Sequence, residues 1–259
     1  MKIDKFLKDK FVYTKGHNPI KSIYFFAQKY LKNKPKKSYS GGGVDLLINY
    51  FFRNKTNGIY LDIGCYHPFQ GSNTYLLHKK GWRGINIDLD EGSIDLFNHF
   101  RKKDYNKKIA LSDKKGEITV HSYHNRSAVQ TVDKEILKKM DKTVLNSFKV
   151  KCDLLNNVIE ESPFKDDKID FLSIDIEGHE LTVLKEFNFK KYDPSIIVIE
   201  YIELELKTLE FHYQKIENIL NSSIYKFMDE KGYRFVNWHH SDLIFVSSKI
   251  FNKREVLGE

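Results

Sequence analysis

Short apolar runs alternate with polar, glycine-marked breaks from residue 58 onward, and this rhythm predicts most of the fold. Gly58-Ile59-Tyr60-Leu61 begins a buried strand over 58–63, and an apolar-spaced helix follows over 73–80. Gly81-Trp82-Arg83-Gly84 turns the chain into strand two, Ile85 to Asp88, before a helix from Ser93 to Phe100. Lys108 to Leu111 reads as strand three, Ile169 to Ile174 as strand four and Ile196 to Ile199 as strand five. A helix over 213–231 then leads to Tyr233–Asn237 and Leu243–Ser247, an antiparallel pair that closes the sheet. Between strands three and four the pattern gives a hairpin from Glu117 to Tyr123 and a polar helix from Asp133 to Met140. Upstream, 3–12 and 18–33 are helical in spacing, Asn33 to Gly43 is a linker, and Val44 to Phe52 is a helix that packs on the sheet. Strands alternating with helices give an α/β fold with a mostly parallel, doubly wound sheet and an N-terminal helical arm.

Composition adjusts this picture in two places. At 259 residues the chain holds one ordinary α/β domain plus extra segments, here an arm and linker over 1–43, a domain over 44–259, and an insertion near 114–165. The net charge of +8 is unevenly spread, because the first 37 residues carry 11 Lys against two Asp, leaving the rest near neutral. A nucleic-acid enzyme would carry positive charge around its cleft, so no nucleic-acid partner is expected. No apolar run approaches the ~18 residues of a membrane helix, and the Lys-rich start lacks a signal-peptide core. With only Cys65 and Cys152, both expected as reduced thiols, the expectation is a cytoplasmic protein.

Candidate chemistry lies at the carboxyl ends of the strands, where ligands bind in open α/β sheets. Asp62 ends strand one, Asp88 lies 26 residues on, and Asp113 25 after that. Asp175 ends strand four. A single Asp after a strand is most often a turn or cap residue. Four at successive strand ends favour an adenosine ligand, with Asp88 on the ribose diol and Asp113, beside Ser112, near the adenine. The loop after Gly64 selects among such ligands. A dinucleotide site needs Gly-x-Gly-x-x-Gly for close approach to a pyrophosphate. Here Cys65, Tyr66, His67, Pro68, Phe69 and Gln70 stand before Gly71, which is too bulky for that cradle. S-adenosylmethionine, without phosphates, suits it, its ammonium held by Asp62 directly or through water.

Several segments in order carry a family resemblance: Asp62-Ile63-Gly64-Cys65-Tyr66-His67-Pro68, Ser72-Asn73-Thr74-Tyr75-Leu76, Gly81 to Asp88, Ala110-Leu111-Ser112-Asp113, and Ile174-Asp175-Ile176-Glu177-Gly178-His179-Glu180. Across roughly residues 58–202 the chain resembles the FkbM family of S-adenosylmethionine-dependent methyltransferases. The resemblance implies a Rossmann-like class I methyltransferase sheet and O-methylation of sugars or natural-product hydroxyls. It also implies a cofactor site from Asp62, Gly64, Tyr66, Asn73, Asp88, Ser112 and Asp113, with S-adenosylhomocysteine as product.

Methyl transfer requires the acceptor oxygen in line with the sulfonium methyl and a base to take its proton. Asp175 and His179 are the candidate bases, with Glu177 beside them; Glu177 and Glu180 could instead only complement the following helix. Asp175, Glu177 and Glu200 could also ligate a divalent ion, although nothing in the spacing demands one, and no metal is expected. The 62 residues from Asp113 to Asp175 contain Tyr123, His124, Arg126, Lys134 and Lys138, which would suit a lid or dimer contact. The preferred acceptor is a sugar, as a nucleotide-activated or surface-glycan precursor. The competing readings are a nicotinamide-dependent nucleotide-sugar oxidoreductase or epimerase, and a methyltransferase for polyketide-type or nucleic-acid acceptors.

Overall fold

The computed structural model describes residues 10, 19–27, 36–122, 130–132, 146–201 and 214–251. They fall into two units, 1–37 and 38–259. In the first, a helix runs from Pro19 to Ala27, beginning on the residue best suited to a first helical position. It covers part of the expected 18–33, and most of the expected 3–12 helix lies outside the described residues.

The second unit begins at Ser38, before the expected boundary at 44, because Asp45 draws the preceding turn onto the domain. Its buried carboxylate accepts from Ser38 Oγ at 2.6 Å, Tyr39 N at 2.7 Å and Ser40 Oγ at 3.0 Å. The helix it starts, Val44–Phe51, packs Val44 and Ile48 against the sheet.

The strands are β1 Ile59–Ile63, β2 Arg83–Asp88, β3 Tyr105–Lys108, β4 Ala110–Leu111, β5 Gly116–Ser122, β6 Gln130–Thr131, β7 Asn146–Asp153, β8 Phe171–Ile174, β9 Ile196–Glu200, β10 Tyr233–His239 and β11 Asp242–Ser247. Seven form the main sheet in the order β10-β11-β9-β8-β1-β2-β3. β11 runs antiparallel to both neighbours while the other pairs are parallel, so the expected closing pair is present. Strand alternation splits the core in two. Leu61, Ile63, Ile85, Ile87, Leu172, Ile174, Ile197 and Ile199 fill one side, and Tyr60, Phe171, Ile196 and Val198 meet Trp82 and the Val44–Phe51 helix on the other.

Three expected elements are redrawn. Strand three of the sheet is Tyr105–Lys108, earlier than Lys108–Leu111, since the chain leaves β2 at Ile109 and Ala110–Leu111 joins β7 instead. The hairpin expected within 117–123 is a longer pairing, β5 against β7 from Gly116↔Cys152 to Ser122↔Asn146. The resulting second sheet, β4-β7-β5-β6, is the body of the insertion. The helix expected over 213–231 is two, Ile216–Asn221 and Ser223–Glu230, because Ser222 has an extended backbone and caps the second by accepting from Tyr225 N. The polar helix expected over 133–140 lies outside the described residues. Among the described residues no helix is long and apolar enough to cross a membrane.

Candidate active site

Strand register builds the site. Ile63 pairs with Ile87 on one side and Ile174 on the other, Ile174 pairs with Ile199, and Glu200 pairs with Asp242. Gly64, Asp88, Asp175, Glu200 and Asp242 therefore share one line at the carboxyl edge. Gly64 is required there: its φ is 71°, and a Cβ would lie 1.7 Å from the Asp175 carbonyl oxygen.

A cavity of about 690 Å³ opens at this edge, within the range of small-ligand sites. Of the expected cofactor residues, Gly64, Tyr66 and Asp88 line it, as do the expected catalytic residues Asp175, Glu177 and His179. Its apolar part runs from Ile87 and Leu96 to Ile109 and Leu111, and is completed by Ile118, Val120 and Val132 beside the second sheet. The β5 and β6 contribution was not foreseen, since only the pairing with β7 carries those apolar side chains back to the main sheet.

At the β2 end, Asp88 accepts from Tyr66 N at 2.8 Å and from Asp90 N at 2.8 Å. Burial pushes its carboxyl up to about 6, against these two bonds. Asp90 is occupied in capping the Glu91–Phe100 helix, accepting from Ser93 N at 2.8 Å. Between the two acids, Asp88 is the one free to offer its remaining lone pairs to a ribose.

The β8 end is crowded with acids. Carboxylate oxygens of Asp175, Glu177 and Glu200 lie within 4.8 Å of one another. Burial pushes Glu177 up to about 9, with Asp175 and Glu180 adding to it, and raises Glu200 well above its ordinary value with Asp175 adding. Asp175 opens onto the cavity, but the protein around that opening also raises it, while a hydrogen bond from Glu200 opposes the rise. Both carboxyls of this pair are therefore held above their ordinary range, Glu200 with Asp175 adding to its rise. One oxygen each of Glu177 and Glu200, and Nε2 of His179, are buried without a hydrogen-bond partner among the described residues. Burial also lowers His179, which keeps its imidazole neutral. The turn carrying these groups is tied by Glu180, accepting from Ile176 N at 2.9 Å and Gly178 N at 3.1 Å, and by Thr131, donating to the Glu177 carbonyl at 2.7 Å. Glu180 therefore serves the turn.

Asp62, Asn73, Ser112 and Asp113 are outside the cavity wall. Asp62 is buried beneath the loop and accepts from Thr74 Oγ1 at 2.5 Å, so what it holds is the loop. Asn73 donates to Ser173 Oγ at 3.1 Å, joining that loop to β8. Ser112 is buried and donates to Asp113 Oδ1 at 3.1 Å, and the chain there turns with β7 through Ser112 N to the Asp153 carbonyl. The sequence reading missed Leu96, Ile118, Val120 and Val132 in the wall.

The family model described as Methyltransferase FkbM domain matches residues 62–235. No curated protein matches the chain. Among solved structures, an O-methyltransferase from Bacillus cereus in complex with SAH is similar at 12% identity and a TM-score of 0.37, over 95% of this chain and 98% of that one. That likeness is too distant to carry an argument.

Proposed function

The chain belongs to the FkbM family and is an S-adenosylmethionine-dependent methyltransferase, and we propose that it methylates a hydroxyl of a sugar, presented as a nucleotide-activated or surface-glycan precursor in the cytoplasm. One observation carries the reading: a single cavity is lined at one end by Asp88, which accepts a backbone N–H on each oxygen and keeps lone pairs open, and at the other by Asp175, Glu177 and His179. The adenosine lies in the apolar slot with its ribose at Asp88, and the loop from Gly64 to Gly71 meets the amino-acid end. The sulfonium methyl then faces the β8 turn. There the acceptor hydroxyl loses its proton to His179 or Asp175, both of which line the cavity. Orientation of the hydroxyl supplies much of the rate. Sugar hydroxyls suit such a site, since a crowd of carboxyl groups offers both donors and acceptors to a polyol.

Incubating the protein with methyl-labelled S-adenosylmethionine and a panel of nucleotide sugars, glycans, polyketide-type alcohols and oligonucleotides tests this. Label on a sugar oxygen supports it. Label only on another class leaves the methyltransferase and removes the sugar.

A second reading has its own support in the unpartnered oxygens of Glu177 and Glu200. Three converging carboxylates are the ligands a hard divalent ion takes, and such an ion would acidify the acceptor hydroxyl. Titration with Mn²⁺ followed by electron paramagnetic resonance decides between ion and protons. A bound-ion spectrum lost in Glu200→Gln favours the ion; a free-ion spectrum in both proteins removes it.

A further inference from the structure

The loop that roofs the cofactor end of the cavity is held from below by one side chain that lies outside the cavity wall. Arg101, the residue after the Glu91–Phe100 helix, is 1% exposed. Its guanidinium spans the two legs of the loop. On one leg Nε donates to the Pro68 carbonyl at 2.9 Å, with Nη2 bonded to the same oxygen. On the other, Nη2 donates to Ser72 Oγ at 3.0 Å and Nη1 to Thr74 Oγ1 at 2.8 Å. Nη1 also reaches the Tyr60 hydroxyl at 3.3 Å.

The direction of these bonds matters. Arginine only donates, so Thr74 must accept from it, and the single Thr74 proton is left for Asp62, 2.5 Å away. The order is Arg101 to Thr74 to Asp62. A buried cation and a buried carboxylate are thus joined through one hydroxyl, and the end of β1 is locked to the end of the Glu91–Phe100 helix. The same helix begins at Asp90, next to the Asp88 that accepts from Tyr66. Both ends of the loop are therefore referred to one rigid element.

We propose that Arg101 is a positioning residue, which through Thr74 and Asp62 fixes the 66–74 loop in its cofactor-receiving shape before the cofactor arrives. The loop contains large side chains, Tyr66, His67 and Phe69, and Tyr66 has a left-handed backbone with φ of 49°. Free of the clamp, it would have to be ordered by the cofactor, and affinity would fall by that amount. The charge balance around Asp62 supports the arrangement. Burial pushes its carboxyl up to about 6, Asp175 and Asp88 add to that, and Arg101 and the Thr74 hydroxyl oppose it. Its buried neighbours Tyr60 and Cys65 are both raised well above their ordinary values, chiefly by burial, and stay neutral.

The inference rests on the reading of the cavity as the S-adenosylmethionine site, and the test separates the two. Thr74→Val keeps the shape of the side chain and removes the proton for Asp62; Thr74→Ser keeps the hydroxyl. Amide hydrogen exchange of 66–74 in the ligand-free, full-length protein should be faster in Thr74→Val and unchanged in Thr74→Ser. The β1 and β8 amides should keep their protection in both. With cofactor varied, Thr74→Val should raise KM for S-adenosylmethionine by about tenfold and leave kcat within about twofold, and Thr74→Ser should restore KM. Unchanged loop exchange in Thr74→Val overturns the proposal, and so does a fall in kcat at constant KM. If Arg101→Lys folds, it should match Thr74→Val, since one ammonium cannot span both legs. Failure of the wild-type protein to bind S-adenosylhomocysteine would sink the cofactor reading while the exchange result still judged the clamp.

Discussion

At the Asp88 end of the cavity, two backbone N–H groups satisfy one oxygen each of a single carboxylate; at the Asp175 end, three carboxylates converge and two buried oxygens have no hydrogen-bond partner among the described residues. The first end is complete as it stands, and a ligand there only adds bonds to lone pairs still open. The second is held by sharing protons among groups that repel one another when ionised. A protein retains such a cluster at a cost in stability, and sites that work on a proton are where that cost is repaid. Binding should therefore depend mostly on the first end and turnover mostly on the second.

The strongest way to break that division is Asp175→Asn. It removes a carboxyl that lines the cavity with little change in shape, and turnover should fall about a thousandfold, with S-adenosylhomocysteine affinity within about threefold. His179→Ala should cost about a hundredfold in turnover. Single-turnover kinetics with saturating cofactor measure both. Full turnover in both variants would end the assignment of this turn to chemistry.

Asp88→Ala sharpens the other side. It removes the acceptor for Tyr66 N and Asp90 N as well as the proposed ribose contact, so S-adenosylhomocysteine affinity should weaken by about thirtyfold. Single-turnover rate at saturation should change by less than about threefold. Calorimetric titration gives the first number. If the loss appears in the rate instead, the two ends are one unit and the comparison fails.

The same contrast explains what could be read from the sequence. The acids at the strand ends were legible because parallel strands of similar length put successive ends level, but the spacing count picks out Asp62 and Asp113 together with Asp88 and Asp175, and only the last two line the cavity. Glu200 entered only as an optional ligand, since a glutamate ending a strand looks like any other strand end until its register with Ile174 and Asp242 is known. The cavity wall from Ile118, Val120 and Val132 needed the second sheet, whose central pairing joins residues about 30 apart through a segment without clear periodicity. Arg101 was invisible for a different reason. A lone arginine at a helix end is ordinarily a solvated residue, and only the folded loop shows that its whole fork is buried and bonded.

The smallest effect is on stability and follows from the sign of the shifts. Asp62 and Asp88 are pushed up to about 6, Glu180 and Asp242 to about 7 and Glu177 to about 9, in each case first by burial. The folded protein therefore binds more protons than the unfolded chain between about pH 4 and pH 9. These groups contribute fully below the ordinary carboxyl range, and their contribution is lost as pH rises through the folded values. His179, lowered by burial, acts in the opposite sense but as a single group. Tm should fall by on the order of 5 °C between pH 6 and pH 9. Glu177→Gln should flatten the upper part of that fall, between about pH 7 and pH 9, because it removes the highest of these groups. A thermal melt at four pH values in each protein is enough. A Tm that rises from pH 6 to pH 9 in the wild type, measured with chelator present, would mean that the carboxyl cluster is ionised in the folded state and that the completeness of the Asp88 end is not what distinguishes the two.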